Sequence, residues 1–314
     1  MSIAFVFPGQ GSQAVGMGKA LAEAFPESRE VFVTAERVLG FGLGRLCFEG
    51  PEGELQLTAN TQPAILTVSV AAFRALAARG VRADYVAGHS LGEYSALVAA
   101  GALGLEDAVR IVRRRGEYMQ EAVPAGQGAM AAILALELPA IERACRESAQ
   151  GEVVAPANIN CPGQVVIAGH QGAVQRAIEA CRAAGAKRAV RLPVSAPFHC
   201  SLMLPARARL AKDLAALSLR DPELPLVNNV EARVVRSAAE CREGLLRQVS
   251  QAVLWQQSVE TLLALGVDTF VEVGPGSVLS GLVRKTARDA RIAGVDSPAA
   301  LDTTVAALAG ARAL

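Results

Sequence analysis

Tyr85-Val86-Ala87-Gly88-His89-Ser90-Leu91-Gly92-Glu93-Tyr94 opens with a short apolar run and closes in a helical pattern, with apolar Tyr94, Leu97 and Val98 on its continuation to Ala100. Between them stands G-x-S-x-G. The pattern describes a strand that ends, a chain that reverses sharply and a helix that begins. Glycines on both flanks let the backbone approach without Cβ clashes, so Ser90 is presented at the tip of the turn. The helix N-terminus behind it offers free N–H groups and a positive partial charge. Both favour an anion forming on a carbonyl attacked by the Ser90 hydroxyl. G-x-S-x-G also arises by chance in many chains; the strand before it and the helix after it make Ser90 a candidate nucleophile.

Outward from this turn, strands alternate with helices. Ile3–Phe7 reads as a strand, followed by the loop Pro8-Gly9-Gln10-Gly11-Ser12-Gln13 and helical patterns at 17–24 and 27–39. Pro63 reads as the first-turn proline of a helix ending near Ala78, with Gly80 as its stop. A helix over 106–123 opens on Glu106 and Asp107, acids that suit a helix N-terminus. Such alternation predicts a parallel sheet covered on both faces. After Pro124 the rhythm changes to strand 129–136, helix 138–149, strands 153–159 and 164–168, helix 171–184 and strand 188–192. That β-α-β-β-α-β order is the ferredoxin-like signature. Because the α/β pattern resumes afterwards, residues 126–195 are expected to form a small inserted subdomain, with 1–125 and 196–314 forming the main domain. Helices are expected at 201–217, 239–249 and 256–265, strands at 225–229 and 268–273, then a helix to about Arg288, a strand at 292–295 and a last helix.

A net charge of +1 leaves no excess to neutralise phosphates, which argues against a nucleic-acid binder. The six cysteines are scattered without a C-x-x-C pair, as expected of reduced thiols rather than of a zinc site or disulfide scaffold. The apolar start, Met1 to Phe7, lacks the basic region and cleavage site of a signal peptide. No transmembrane helix is expected, and the chain reads as cytoplasmic.

A serine hydroxyl needs an adjacent base, most often histidine. The chain has three: His89, His170 and His199. His89 should point away from Ser90 at the turn, and His170 ends a strand of the insert. Elimination favours His199, in Ser195-Ala196-Pro197-Phe198-His199-Cys200, over a reading in which it is a loop histidine bonded to backbone. No Asp-containing loop between Ser90 and His199 stands out as its partner, so a dyad oriented by a backbone carbonyl is as plausible as a triad. The glycine-rich loop around Gln10 suits an oxyanion-hole N–H, or is an ordinary turn; the second donor would be the N–H of Leu91. Arg113-Arg114-Arg115 must point in three directions around a helix. Arg115 shares a face with Met119, and is either half-buried and aimed into a cleft as a carboxylate receptor or part of a solvated basic cluster.

Pro8 to Gln13, Gly88 to Tyr94, Arg115-Gly116 with Met119-Gln120, Pro197-Phe198-His199, and Val271-Glu272-Val273-Gly274-Pro275-Gly276 occur in that order. Together they resemble the malonyl-CoA:acyl carrier protein transacylases of fatty-acid synthesis and the acyltransferase domains of polyketide synthases, nearly end to end. The resemblance implies an α/β-hydrolase-like core with an inserted ferredoxin-like subdomain. It implies Ser90 as nucleophile, His199 as base, Arg115 as clamp for the free acyl carboxylate, and the Gln10 and Leu91 N–H groups as oxyanion hole. It also implies a backbone carbonyl orienting the histidine from a loop before Trp255, for which Gln248 matches best, although the proline frequent in that loop is missing here. Met119 and Phe198 would border the acyl pocket, with the Phe198 ring crowding an α-methyl.

The implied reaction is a two-step exchange through a malonyl-serine, with malonyl-CoA as substrate, the phosphopantetheine carried by the partner, and no metal or resident cofactor. The partner is an acidic acyl carrier protein, with Lys187, Arg188, Arg191, Arg284, Lys285 and Arg288 as candidate contacts or simply as solvated surface. The chain is expected to act as a monomer, without membrane or nucleic acid. A serine thioesterase with the same turn and a non-catalytic scaffold are the competing readings.

Overall fold

The computed structural model describes every residue except Ala125, Ser195, Ala313 and Leu314. The chain opens with β1 (Ile3–Phe7), whose five apolar residues are all buried. It continues through α1 (Lys19–Ala24), α2 (Pro26–Leu39), α3 (Leu43–Glu49), α4 (Glu52–Gln56) and α5 (Thr58–Ala78), then β2 (Tyr85–Gly88), α6 (Gly92–Ala99) and α7 (Leu105–Glu121). Next come β3 (Gly128–Leu134), α8 (Leu138–Ala149), β4 (Val154–Cys161), β5 (Gln164–His170), α9 (Gln171–Ala183) and β6 (Arg188–Arg191). The last part holds α10 (Leu204–Ala216), β7 (Leu226–Val227), β8 (Val234–Val235), α11 (Ala238–Gln248), α12 (Trp255–Ala264), β9 (Thr269–Val273), α13 (Val278–Thr286), β10 (Arg291–Val295) and α14 (Pro298–Arg312).

Two sheets result. The larger has the order β10-β9-β1-β2-β7-β8. Its strands run parallel except for the β7–β8 hairpin. Central strands buried on both faces need no alternation of polar and apolar residues, and Ile-Ala-Phe-Val-Phe of β1 has none. The smaller sheet is antiparallel, in the order β4-β5-β3-β6. One of its faces packs on α8 and α9 through Ile133, Ile141, Ile167, Val174 and Ile178. Met130, Val166 and Ala168 instead join the main core. The smaller sheet is tied to the segment between α11 and α12, where Val253 bonds with Ala157 and Ile159 of β4, both at 2.9 Å. Both boundaries expected for the insert fall on Ala125 and Ser195, outside the described residues.

The elements follow the expected order with three departures. Pro63 does not start its helix: α5 begins at Thr58 and carries Pro63 inside it. Proline cannot bond the carbonyl four residues earlier. That carbonyl, Ala59 O, instead accepts from Arg113 Nη1 at 3.0 Å, which removes part of the penalty. The short helices α3 and α4 fill the stretch between α2 and α5, and the expected strand 225–229 shrinks to the two residues of β7, paired with β8. Among the described residues α5 is long and apolar enough to cross a membrane, with mean hydropathy 1.2, yet 78% of that window is buried inside the protein. Its apolarity serves packing against β1 and its neighbours, through Phe73 against Phe5 and Phe7 among others.

Candidate active site

The turn between β2 and α6 is as tight as its glycines require. A Cβ on Gly88 would lie 2.0 Å from the Gly92 carbonyl, and one on Gly92 2.0 Å from the Phe7 carbonyl oxygen at the end of β1. Ser90 sits at the tip with φ of +53°, a left-handed conformation that a non-glycine residue holds only when its surroundings impose it. Asn229 imposes it from the loop after β7. Its Oδ1 accepts the Ser90 N–H at 2.7 Å and its Nδ2 donates to Gly88 O at 2.6 Å. The Ser90 N–H is thereby occupied. Among the described residues no acceptor pairs with the N–H of Leu91 or of Gln10. The Gln10 loop is shaped by Ser12 Oγ donating to Gly9 O at 2.8 Å, and the Gln10 side chain reaches Thr58 Oγ1 at 3.3 Å.

His199 and Arg115 converge on Ser90 from far along the chain. Ser90 Oγ lies 2.7 Å from His199 Nε2, and His199 Nδ1 lies 2.8 Å from Gln248 O. A carbonyl can only accept, so Nδ1 carries the proton and Nε2 is free to accept from the serine. Burial, and then the Arg115 charge, push His199 down to about 3, so the imidazole is neutral at physiological pH. Arg115 is only 1% exposed. Its Nη2 donates to Ser90 Oγ at 3.1 Å and to Gln248 Oε1 at 2.8 Å, and its Nη1 to Gln62 Oε1 at 2.7 Å. Tyr94 lies under the guanidinium at 5.6 Å. The three arginines do part: Arg113 pairs with Glu117 at 2.7 Å and Arg114 with Asp213 at 2.6 Å, both toward solvent, while Arg115 turns inward.

A cleft of about 350 Å³ opens above these groups, between the larger sheet and the face of β3, β4 and β5 turned away from α8 and α9. Gln10, Leu91, Met119, Phe198, Val278 and Leu279 are in its wall. Glu272 of β9 fixes α13 there by accepting the Leu279 and Ser280 N–H groups at 2.9 and 2.7 Å, which accounts for the acid in Val271–Gly276. A wider surface cleft of about 460 Å³ between α13, β10 and α14 contains none of the converging residues.

The other histidines are engaged elsewhere. His89 Nε2 meets Asn160 Oδ1 at 2.9 Å with the ring edge-on to Trp255, and His170 Nδ1 accepts the Val153 N–H at 2.9 Å. Cys200 beside the base is buried, its thiol pushed up to about 11, and it donates to Pro197 O at 3.1 Å. All six cysteines are free and buried.

Four polar residues near these groups escaped the sequence reading: Gln62, Glu93, Asn160 and Asn229. The available signal was a long polar side chain in a buried run, as Gln62 is in α5 and Glu93 in α6.

The arrangement sets one hydroxyl within hydrogen-bond reach of both a neutral base and a buried cation, beneath a cleft where, among the described residues, two N–H groups are unpaired. It suits nucleophilic attack on an acyl group that carries its own carboxylate. The acyl transferase domain family matches residues 4–312. A malonyl CoA-acyl carrier protein transacylase of Salmonella typhimurium is 50% identical over 303 residues, covering 96% of this chain and 98% of that one. The crystal structure of an acyl carrier protein S-malonyltransferase from Vibrio cholerae superposes with a TM-score of 0.95 at 48% identity, covering 97% of this chain and 100% of that one. A malonyl-transacylase solved in complex with a type II PKS acyl-carrier protein superposes with a TM-score of 0.96, also at 48% identity, covering 98% and 99%.

Proposed function

The chain belongs to the acyl transferase domain family, and from that premise we propose that it moves a malonyl group from malonyl-CoA to the phosphopantetheine thiol of an acyl carrier protein through a malonyl ester of Ser90. The observation that carries this reading is the position of Ser90 Oγ, 2.7 Å from His199 Nε2 on one side and 3.1 Å from Arg115 Nη2 on the other. A malonyl group has one methylene between its carbonyl and its carboxylate. When Oγ bonds the carbonyl carbon, the carboxylate can take the place that Oγ and Gln248 Oε1 hold on Arg115.

In the first half-reaction His199 Nε2 takes the Ser90 proton as Oγ adds to the thioester carbon. The oxyanion develops toward the Gln10 and Leu91 N–H groups, the C–S bond breaks, and the CoA sulfur leaves with the proton from His199. The imidazolium is steadied by the Gln248 carbonyl rather than by a carboxylate, which makes a milder base than a carboxylate-backed histidine. In the second half the carrier's thiol gives its proton to His199, attacks the ester and leaves as malonyl thioester while Oγ regains the proton. Ester and thioester are close in energy, so the exchange requires no resident cofactor or metal. The acyl group, pinned by Arg115, waits for a thiol rather than for water.

We read the larger sheet as an α/β-hydrolase-like core, 1–125 with 196–314, and residues 126–195 as a ferredoxin-like subdomain closing the cleft. The residues of this chemistry all come from a single chain, and we read the protein as a monomer acting in the cytoplasm. The carrier would approach between the insert's Lys187, Arg188 and Arg191 and the Arg284, Lys285 and Arg288 of α13 and its end. Lys285 Nζ bonds Gln164 Oε1 at 3.0 Å, and Gln164 borders the cleft.

Intact-mass measurement tests the reading. Mixing with malonyl-CoA is expected to give one malonyl adduct, absent in Ser90→Ala and discharged by holo-carrier protein. No adduct, or release of free malonate as fast as the adduct forms, would refute it; the latter would favour a thioesterase. Phe198, 7% exposed at the cleft wall, is expected to disfavour an α-methyl. Methylmalonyl-CoA should load about tenfold more slowly than malonyl-CoA, the discrimination expected of one methyl group. Stopped-flow loading with each ester checks this, and equal rates would exclude the role.

A further inference from the structure

Arg115 is not the only ionisable group held under Ser90. Glu93 of α6 is equally buried, at 1% exposure, and the two are bridged by a single amide. Gln248 Oε1 accepts from Arg115 Nη2 at 2.8 Å, and Gln248 Nε2 donates to Glu93 Oε2 at 2.8 Å. The amide's orientation is fixed by its surroundings, because Nε2 also meets Ser90 O at 2.8 Å and Asn229 Oδ1 at 3.2 Å. The reverse orientation would set a carbonyl oxygen against three acceptors. Gln248 thus joins the base, through its backbone carbonyl, to the carboxylate receptor and to Glu93.

Resting on the transferase reading, we propose that Glu93 is a specificity-determining residue: it is the counter-charge of Arg115 in the empty site, and it takes up a proton when the malonyl carboxylate assumes that role. Glu93 is a poorly held anion. Oε2 accepts from Gln248 and from the Asn229 N–H at 3.2 Å, but among the described residues Oε1 has no partner. A buried carboxylate with an unpaired oxygen is costly unless a cation compensates it. The ionisable groups acting on it are Arg115 of α7, its neighbour Tyr94 on α6, and Cys241 of α11. Burial holds the phenol and the thiol neutral, the thiol at about 12. Among the described residues Arg115 is therefore the one charge that favours the Glu93 anion. Burial outweighs it and pushes Glu93 up to about 7, whereas His199 is neutral throughout this range.

The malonyl carboxylate then brings a second anion to one cation. One proton passes from solvent to the Glu93 carboxylate, and no covalent bond of the acyl group is involved. Neutral Glu93 still accepts the Gln248 N–H through its carbonyl oxygen, so the positioning of Gln248 survives. An acetyl group brings no charge and triggers no exchange. The sign follows: binding that raises a pKa is favoured on the acid side, so malonyl loading weakens as pH rises through about 7 while acetyl loading does not.

The experiment mixes wild-type enzyme with malonyl-CoA, or with acetyl-CoA, in weak buffer above neutrality with a pH-indicator dye. Acetyl-CoA cancels the protons of thiol release and ester formation. Malonyl loading is expected to take up most of one proton per site beyond acetyl loading, and Glu93→Gln is expected to abolish the difference. The same variant should flatten the pH dependence of the malonyl-to-acetyl ratio between about pH 6 and 8.5. Equal proton uptake from the two esters, in enzyme whose mass shows malonyl on Ser90, overturns the proposal. Persistence of the extra uptake in Glu93→Gln does so too. Absence of the adduct would instead defeat the transferase reading, and the wild-type comparison decides even if the variant fails to fold.

Discussion

Arg115→Ala is expected to cost malonyl transfer roughly two to four orders of magnitude in kcat/KM while acetyl transfer falls far less, so the malonyl-to-acetyl ratio collapses. The size follows from burial. Deleting one member of a desolvated ion pair costs about 3–5 kcal/mol, because the surviving charge is left without a partner. At about 1.36 kcal/mol per factor of ten, that is a loss of roughly 10²–10⁴. With acetyl in wild type, Arg115 keeps Glu93 as its counter-charge and gains nothing from the acyl group; in the variant the malonyl carboxylate is the charge left without a partner. A second effect runs through the base. Arg115 helps hold His199 down to about 3, behind burial as the larger cause. His199 works as a base only when neutral, so rate is lost as pH falls through its pKa. In wild type that limb lies far below neutrality. Without Arg115 it moves upward, and acetyl transfer should decline at less acid pH than in wild type. Steady-state rates with both esters across a pH series test both parts, and an unchanged malonyl-to-acetyl ratio would remove Arg115 from substrate recognition.

What the sequence disclosed follows from how local each cause is. The turn at Ser90 could be read because its cause is local: Gly88 and Gly92 are where they are since their missing Cβ atoms would overlap carbonyls. The inward turn of Arg115 was half legible, as a consequence of helical geometry acting on three adjacent arginines, but only packing decided which one enters the cleft. Pro63 misled because the group that compensates it, Arg113 Nη1 on the Ala59 carbonyl, comes from another helix. The His199 acceptor is a backbone carbonyl, which any residue could supply; Gln248 was reached through family resemblance rather than from its side chain. Asn229 carried no local signal, and Glu93 only its place in a buried run. Each has partners far along the chain: Glu93 and Gln248 are 155 positions apart, and Asn229 and Ser90 are 139 apart. Long-range polar networks of this kind become readable only once the fold has brought their members together.

Gly92→Ala should be among the most damaging single-methyl additions near the site. The new Cβ would stand 2.0 Å from Phe7 O, 2.7 Å from Phe7 C and 2.9 Å from Pro8 O. All three are backbone atoms, so no side-chain rotation relieves the overlap. Either α6 moves away from β1 or β1 shifts within a sheet where it pairs with both β2 and β9. A loss above about 4 kcal/mol is expected, the range reserved for core overlap with no escape. Displacement of α6 would also part the Leu91 N–H from the Gln10 N–H, since Leu91 precedes α6 and Gln10 follows β1 within three residues. Soluble protein that remains should therefore load malonyl slowly even where it is folded. Gly281→Ala in α13 is the matched comparison: nothing lies within 4 Å of the position its new methyl would take, and the residue is exposed. There the methyl should stabilise by up to about 1 kcal/mol through helix propensity. Thermal unfolding of the two variants beside wild type measures the contrast, and a Gly92→Ala protein with wild-type Tm and loading rate would show that the turn has slack which these distances deny.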